Sequence, residues 1–350
     1  MRTPLLLAAA GLSAMTAVLA AAAPQTGQAI DDAVRFVIST QEADGGFGGF
    51  GAGQTFDAVF AIRAAGIDPG DVTTDGASPA DFLQAQAATV AAESPALAAK
   101  AALAAKALGL DPEKVAGTDL VAAVSDKLDA STGRYAADDF SQGLAVIGLA
   151  CTGNDVPTAA VDTLLQTQVD DGGWGSDGAS DPDTTSVVLQ ALIASGAEAS
   201  SEDVAAAVAY LRNGQLDDGG WGYAGESNAA STAFVVQSLI AAGEDVEGAD
   251  YTKAGQTPID YLLSQQLDDG SFAGFDAAYA AIQAVPALAG RTLCNAPETA
   301  ITQSAPVSAS GAGAPGVGTG TAESDSLPWL YIAGVLALAA GAVGVMSLRK

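Results

Sequence analysis

Carboxylates are the only plentiful reactive side chains in this sequence: its 350 residues carry 41 acids against 13 bases, two cysteines and no histidine. The most suggestive pair is Asp181 and Asp183, in the run Asp181-Pro182-Asp183-Thr184-Thr185 that leads into an apolar segment with helical spacing. Such a carboxyl can act as a general acid if a dry pocket holds its proton, but acids at a helix start are also favoured by capping and by the helix dipole alone. Asp57, Asp139 and Asp276 stand near the starts of other apolar segments. With Asp183 they would form a ring of binding acids at one mouth of a barrel, and two such carboxylates at a set distance are what a glycosidase needs. Asp170, Asp171, Asp177, Asp181 and Asp183 crowd one loop that offers oxygen ligands to calcium, without the ordered spacing of a dedicated calcium loop. Zinc is excluded, because there is no histidine and neither Cys151 nor Cys294 has metal-site company. We expect no metal and no cofactor. The two cysteines are either bridged, which an oxidising compartment permits, or remain as a buried thiol at Cys151 and an exposed one at Cys294.

What must position these acids is an internal repeat. Four loops align without a gap: Gln41-Glu-Ala-Asp-Gly45-Gly-Phe47, Gln168-Val-Asp-Asp-Gly172-Gly-Trp174, Gln215-Leu-Asp-Asp-Gly219-Gly-Trp221 and Gln266-Leu-Asp-Asp-Gly270-Ser-Phe272. A fifth, Asp129-Ala-Ser-Thr-Gly133-Arg-Tyr135, keeps the glycine and the aromatic but not the glutamine, and a sixth repeat after Gln86 keeps only its helices. Before each loop runs an amphipathic segment, such as Val204 to Leu211; after it comes a segment apolar almost all round, such as Ser186 to Ala194 or Leu144 to Ala150. Three of these second segments start at a threonine and end at a glycine: Thr55 to Gly66, Thr185 to Gly196 and Thr232 to Gly243. We read the threonines as N-caps and the glycines as left-handed C-terminal residues. A helix that is apolar all round is surrounded by protein, so the second helices should form an inner ring and the first helices an outer one. The reading is an all-α, six-hairpin α/α toroid, closed because no polar capping repeat is visible.

The Gln-to-aromatic loops resemble the repeats of the α/α toroids of the squalene–hopene cyclase and protein prenyltransferase superfamily, over roughly Gln28 to Arg291. The resemblance implies a scaffold role for the loop residues named above, with glutamine and aromatic ring tying neighbouring helices together. It also implies that Asp183 corresponds to the acid with which cyclases of this group protonate an alkene, in an Asp-x-Asp-Asp-Thr run. Asp181 and Asp183 match that run, whereas Thr184 replaces its last acid, and few aromatic residues (Phe56, Phe60, Phe140, Phe234, Tyr279) lie on second helices to stabilise travelling cations. Those cyclases also place their site between two toroids, and only one is present here. The Cys-Gly-Glu-Gln run of toroidal thioester proteins is absent. Gln142 to Cys151 is similar to a helix of the cobalamin carriers, which implies a corrinoid ligand, although their second, β-rich domain has no counterpart.

The ends set the expected location. Residues 1–23 have the charged start, apolar stretch and small residues of a secretory signal peptide, and 24–293 form the toroid. Residues 294–326, rich in Ala, Gly, Ser and Pro, read as a disordered stalk; 327–348 form one transmembrane helix without a charge, and Arg349 and Lys350 a cytoplasmic tail. The expected product is a single-pass protein of the cell membrane, ectodomain outside, whose net charge of -28 excludes nucleic acid as a partner. The sequence thus points to a toroid at the cell surface that binds a small molecule or a surface protein without catalysis. The alternatives are a terpene-cyclase-like enzyme using Asp183 and a corrinoid-binding protein.

Overall fold

The computed structural model describes residues 26–295. Among them are twelve α-helices: α1 over 26–39, α2 Ala52–Ala64, α3 Pro79–Glu93, α4 Pro95–Ala107, α5 Leu120–Ser125, α6 Asp139–Thr152, α7 Thr158–Gln166, α8 Pro182–Ala194, α9 Glu202–Gly214, α10 Ala229–Ala241, α11 Pro258–Gln265 and α12 Ala277–Leu288. The even-numbered helices touch one another in order, α2 to α4, α6, α8, α10 and α12, and α12 returns to α2. They form the inner ring. Their side chains are almost wholly buried, as in Val187 to Leu192 of α8, while the odd-numbered helices keep an exposed face. Each outer helix carries the chain back, so the inner helices run in one direction and their N-termini surround one mouth.

The threonines expected to cap the inner helices do something else. The caps are Asp138, Asp181, Asn228 and Asp276, whose side chains accept the first free amides of α6, α8, α10 and α12. Thr55, Thr185 and Thr232 lie inside the first turns, buried. The Thr185 hydroxyl accepts the Trp174 N–H at 2.9 Å and donates to the Trp174 carbonyl at 3.1 Å, and Thr232 and Thr55 hold Trp221 and Phe47 the same way. The C-terminal glycines behave as expected: Gly66, Gly153, Gly196 and Gly243 all have positive φ.

Each loop glutamine ties its repeat to the next. Gln168 Nε2 donates to Gly172 O at 2.8 Å and to Asp203 O at the start of α9; Gln215 donates to Gly219 O and Tyr251 O, and Gln41 to Gly45 O and Val72 O. Gln266 donates to Gly270 O and to Ala29 O on α1, which closes the ring between the last loop and the first helix. The loop glycines sit against the carbonyls of the following outer helix: a Cβ on Gly172 would meet Ala206 O, and one on Gly270 would run into Asp32 O. In the repeat that lost its glutamine, Gln142 on α6 stands where α2, α8 and α10 have threonine. Its amide accepts the Tyr135 N–H and donates to Gly133 O and Ala160 O, replacing both missing residues.

Two findings depart from the sequence reading. The described residues are not purely helical: β1 Trp174–Ser176 pairs with β2 Ala179–Asp181, and β3 Gly222–Tyr223 with β4 Glu226–Ser227, through two-residue turns in which Asp177 (φ 54°) and Gly178 (φ 76°) are both left-handed. The second concerns the boundary set at 294. Cys294 is bonded to Cys151 with their Cα atoms 5.0 Å apart, so it belongs to the toroid and not to a stalk, and no free thiol remains at either position. Since α6 lies opposite α12 in the ring, residues 289–294 must cross the floor of the barrel to reach α6. Leu293 packs on the core and Thr292 is buried beneath it. Among the described residues no helix is long and apolar enough to cross a membrane; the expected signal peptide and the 327–348 span lie outside them.

Candidate functional site

On the inner helices, the residues that keep some accessibility recur on one face: Gly53 and Asp57 of α2, Lys100 and Leu103 of α4, Phe140 of α6, Asp183 of α8, Phe234 of α10 and Tyr279 of α12. Most of these positions lie near the N-termini of the inner helices and edge a mouth there, while the chain strap from α12 to α6 crosses the other end. Aromatic rings edge that mouth. Phe140 and Phe234 meet edge to face at 6.3 Å, and Phe50 stacks on Phe275 at 6.2 Å while meeting Tyr279 edge to face at 5.9 Å. Phe275 is 86% exposed, unusual for a phenylalanine.

Asp183 sits just inside α8, aimed by Asp181, which caps Thr184 N–H at 2.8 Å, and by Pro182 at the first helical position. Burial pushes its pKa from 3.8 up to about 6; the Ser231 and Tyr223 hydroxyls oppose the shift and the Asp181 charge adds to it. Its Oδ1 touches no solvent and has no hydrogen-bond partner. The Tyr223 hydroxyl, carried on the β3–β4 hairpin, donates to Asp181 Oδ1 at 3.2 Å, and burial followed by the two carboxylates holds its proton far above the ordinary phenol range. Across the mouth, Tyr279 is likewise kept protonated by burial and by the charges of Asp57 and Asp183. Below about pH 6 the Asp183 carboxyl is neutral and can donate a hydrogen bond or a proton to a molecule at the mouth.

The other expected acids do not form a free ring. Asp57 lies a turn deeper and pairs with Lys100 at 2.6 Å and Gln283 at 3.4 Å; burial raises its pKa and Lys100 opposes this. Asp139 pairs with Arg134 at 2.8 Å, and Asp276 caps α12 through the Tyr279 N–H. The acids of the fourth loop serve their own backbone: Asp171 accepts from Gly173 N and the Ser180 hydroxyl, and Asp181 is the cap described above. Among the described residues no three acids or cysteines come together as a metal-binding group. The sequence reading missed Tyr223, Lys100, Gln283 and the floor strap. Tyr223 follows a Trp-Gly pair and precedes an Ala-Gly turn, the hairpin signal that would have placed it beside the preceding repeat's acids.

Two stretches of the chain match family models: residues 158–282 match the squalene-hopene cyclase C-terminal domain, and residues 7–86 match the prenyltransferase alpha-alpha toroid domain. Among solved structures, the type II terpene cyclase MstE from Scytonema superposes with a TM-score of 0.59 at 16% identity, over 76% of this chain and 98% of that one. Haptocorrin in complex with Cbi gives 0.52 at 17% identity, over 82% and 71%. A protein from Actinoplanes gives 0.52 at 15%, over 77% and 100%. At such identities the likeness shows the fold alone. No curated protein matches the sequence. The terpene-cyclase-like toroid implied by the repeats is thus found by family models and by structure alike.

Proposed function

We propose that this chain, a terpene-cyclase-like α/α toroid, is a ligand-binding domain of the cell surface whose barrel takes one small, largely apolar molecule through its aromatic mouth. The observation that carries this reading is the mouth itself: residues of all six inner helices keep some accessibility on one face, and aromatic rings edge it. A lumen packed solid with Ala and Leu would serve only as scaffold. Concave, mostly apolar sites with a few convergent polar groups are the usual form of small-molecule sites. The tether belongs to the same proposal: an apolar span at 327–348 would hold the barrel outside the membrane, and its test is recovery of the full chain in the membrane fraction with the toroid open to protease from outside.

A second reading is favoured by Asp183. In it the carboxyl protonates an alkene, as the resemblance of the Asp181–Thr185 run implies, and a pKa near 6 keeps the proton in place at mildly acidic pH. One objection from sequence has weakened, because a protein described as a type II terpene cyclase matches along 98% of its length, leaving no room there for a second toroid. Three stand against it: Thr184 replaces the partner acid, few aromatic residues lie on the inner helices, and a carboxyl whose pKa is raised is a weaker acid than an ordinary one. Incubating the full-length protein with squalene and with shorter polyprenyl substrates separates the readings. Binding with unchanged substrate is expected; a cyclic product that vanishes in Asp183→Asn would establish the enzyme instead.

A further inference from the structure

The outer surface holds an open groove of about 770 Å³ between the 215–221 loop, the β3–β4 hairpin and α11. Its lining carries three acids, Asp217, Asp218 and Glu226, and no base. Asp218 Oδ1 accepts the Gly220 N–H at 3.0 Å and the Ser227 hydroxyl at 2.7 Å, which leaves its other oxygen for a ligand. The carboxylates of Asp217 and Glu226 make no hydrogen bond or ion pair among the described residues. Tyr261 on α11 is 5% exposed, its ring held beneath Gly220, where a Cβ would collide with it. Only its hydroxyl can reach the groove, and it has no hydrogen-bond partner among the described residues. Burial and the Asp218 charge push its pKa up to about 12, so it stays a neutral phenol with lone pairs to offer.

The preceding repeat shows what is particular to this groove. Cβ atoms on Gly172 and Gly219 would meet Ala206 O on α9 and Thr257 O on α11, which puts Tyr210 at the place of Tyr261 and Gly214 at that of Gln265 in the groove lining. The Ser180–Asp171 bond repeats the Ser227–Asp218 bond, but Ala179 stands where the second hairpin has Glu226. The extra acid and the amide are additions that the scaffold does without one repeat earlier.

We propose that this groove binds an extended organic cation, a chain bearing two or more ammonium groups, whose N–H donors are taken by Asp217, Asp218, Glu226 and the Tyr261 hydroxyl. A saccharide is favoured by an open aromatic face, and that of Tyr261 is covered. A metal ion needs converging ligands, and among the described residues no three acids form such a group. Acceptors spread along a groove suit charges spread along a chain. The site is separate from the barrel mouth and does not depend on a ligand there.

The test is a calorimetric titration of the full-length protein at low salt with spermidine, with a capped trilysine peptide, and with triacetylated spermidine, which keeps the chain and loses the charge. One saturable site per chain is expected for the charged probes and none for the neutral one. Because the whole chain is acidic, with a net charge of -28, the deciding comparison is among neutralised acids. Glu226→Gln and Asp217→Asn should each weaken binding about two- to fivefold, whereas Asp170→Asn, the same loss of charge at the equivalent place one repeat earlier, should leave it unchanged. Tyr261→Phe should fold, since Phe82 fills the same place beneath Gly46, and should weaken binding about tenfold. Either order of affinity supports the site: a tighter peptide names a basic protein segment as the source of the cation, tighter spermidine a free polyamine. Equal weakening by Asp170→Asn, unchanged binding in Tyr261→Phe, or no saturable site would overturn the inference and leave the reading of the barrel untouched.

Discussion

At the scale of residues, the protein keeps a carboxyl where an ordinary fold would neutralise or expose it. The folded pKa of Asp183, about 6, lies above its ordinary 3.8, so this side chain favours the native state only while protonated. That contribution is complete below about pH 4 and is lost as the pH rises through 6. Asp183→Asn should therefore be more stable than wild type by about 3 kcal/mol at pH 7.5 and nearly equal to it at pH 4, by urea denaturation at the two pH values. A deficit at pH 7.5 would mean that the charge is compensated. Gln142 is the opposite case, a buried amide whose every partner is filled. Gln142→Ala should cost about 2–4 kcal/mol, since it frees the Tyr135 N–H and two buried carbonyls at once. The importance of Asp183 could be read from its position ahead of an apolar helix. That of Gln142 could not, because its partners come from residues before and after α6 that only the folded ring brings together.

At the scale of elements, the repeat was legible because its helices and loops obey local rules: an apolar period, a left-handed glycine, an aromatic at fixed distance. The threonines differ from the expected caps for a physical reason. Thr is a good cap, but Asp, Asn and Pro three to four residues earlier do that work here, which frees the hydroxyl to clamp the loop aromatic from inside the helix. The hairpins were overlooked because each strand is too short for an alternating pattern to show. Gly270 tests the element that closes the ring. Its φ of 89° and its contact with α1 both exclude a side chain, whereas Gly153 needs only its positive φ and has open space beside it. Gly153→Ala is expected to cost about 1 kcal/mol and Gly270→Ala considerably more, with early loss of protection in α1 and α12 by hydrogen exchange. Equal costs would mean that the seam between α12 and α1 carries no special load.

At the scale of the whole molecule, six pairs close into a ring with the N-termini of the inner helices around one mouth. The chain's last described residues cross the floor and are bonded to the opposite helix, a long-range feature that two isolated cysteines could not announce in the sequence. Replacing both, Cys151→Ser with Cys294→Ser, should lower stability by about 2–4 kcal/mol, because the bond closes a long loop, and should expose the lumen from below. Binding of an apolar ligand by this protein depends on the barrel being the site. The most direct measurement is a titration of the full-length protein with a neutral naphthylamine dye, for wild type and for Leu144→Trp, a change that fills the barrel from α6. One saturable site per chain in wild type, lost in a Leu144→Trp protein that retains cooperative unfolding, is the predicted result; binding that is indifferent to the filled lumen would contradict it.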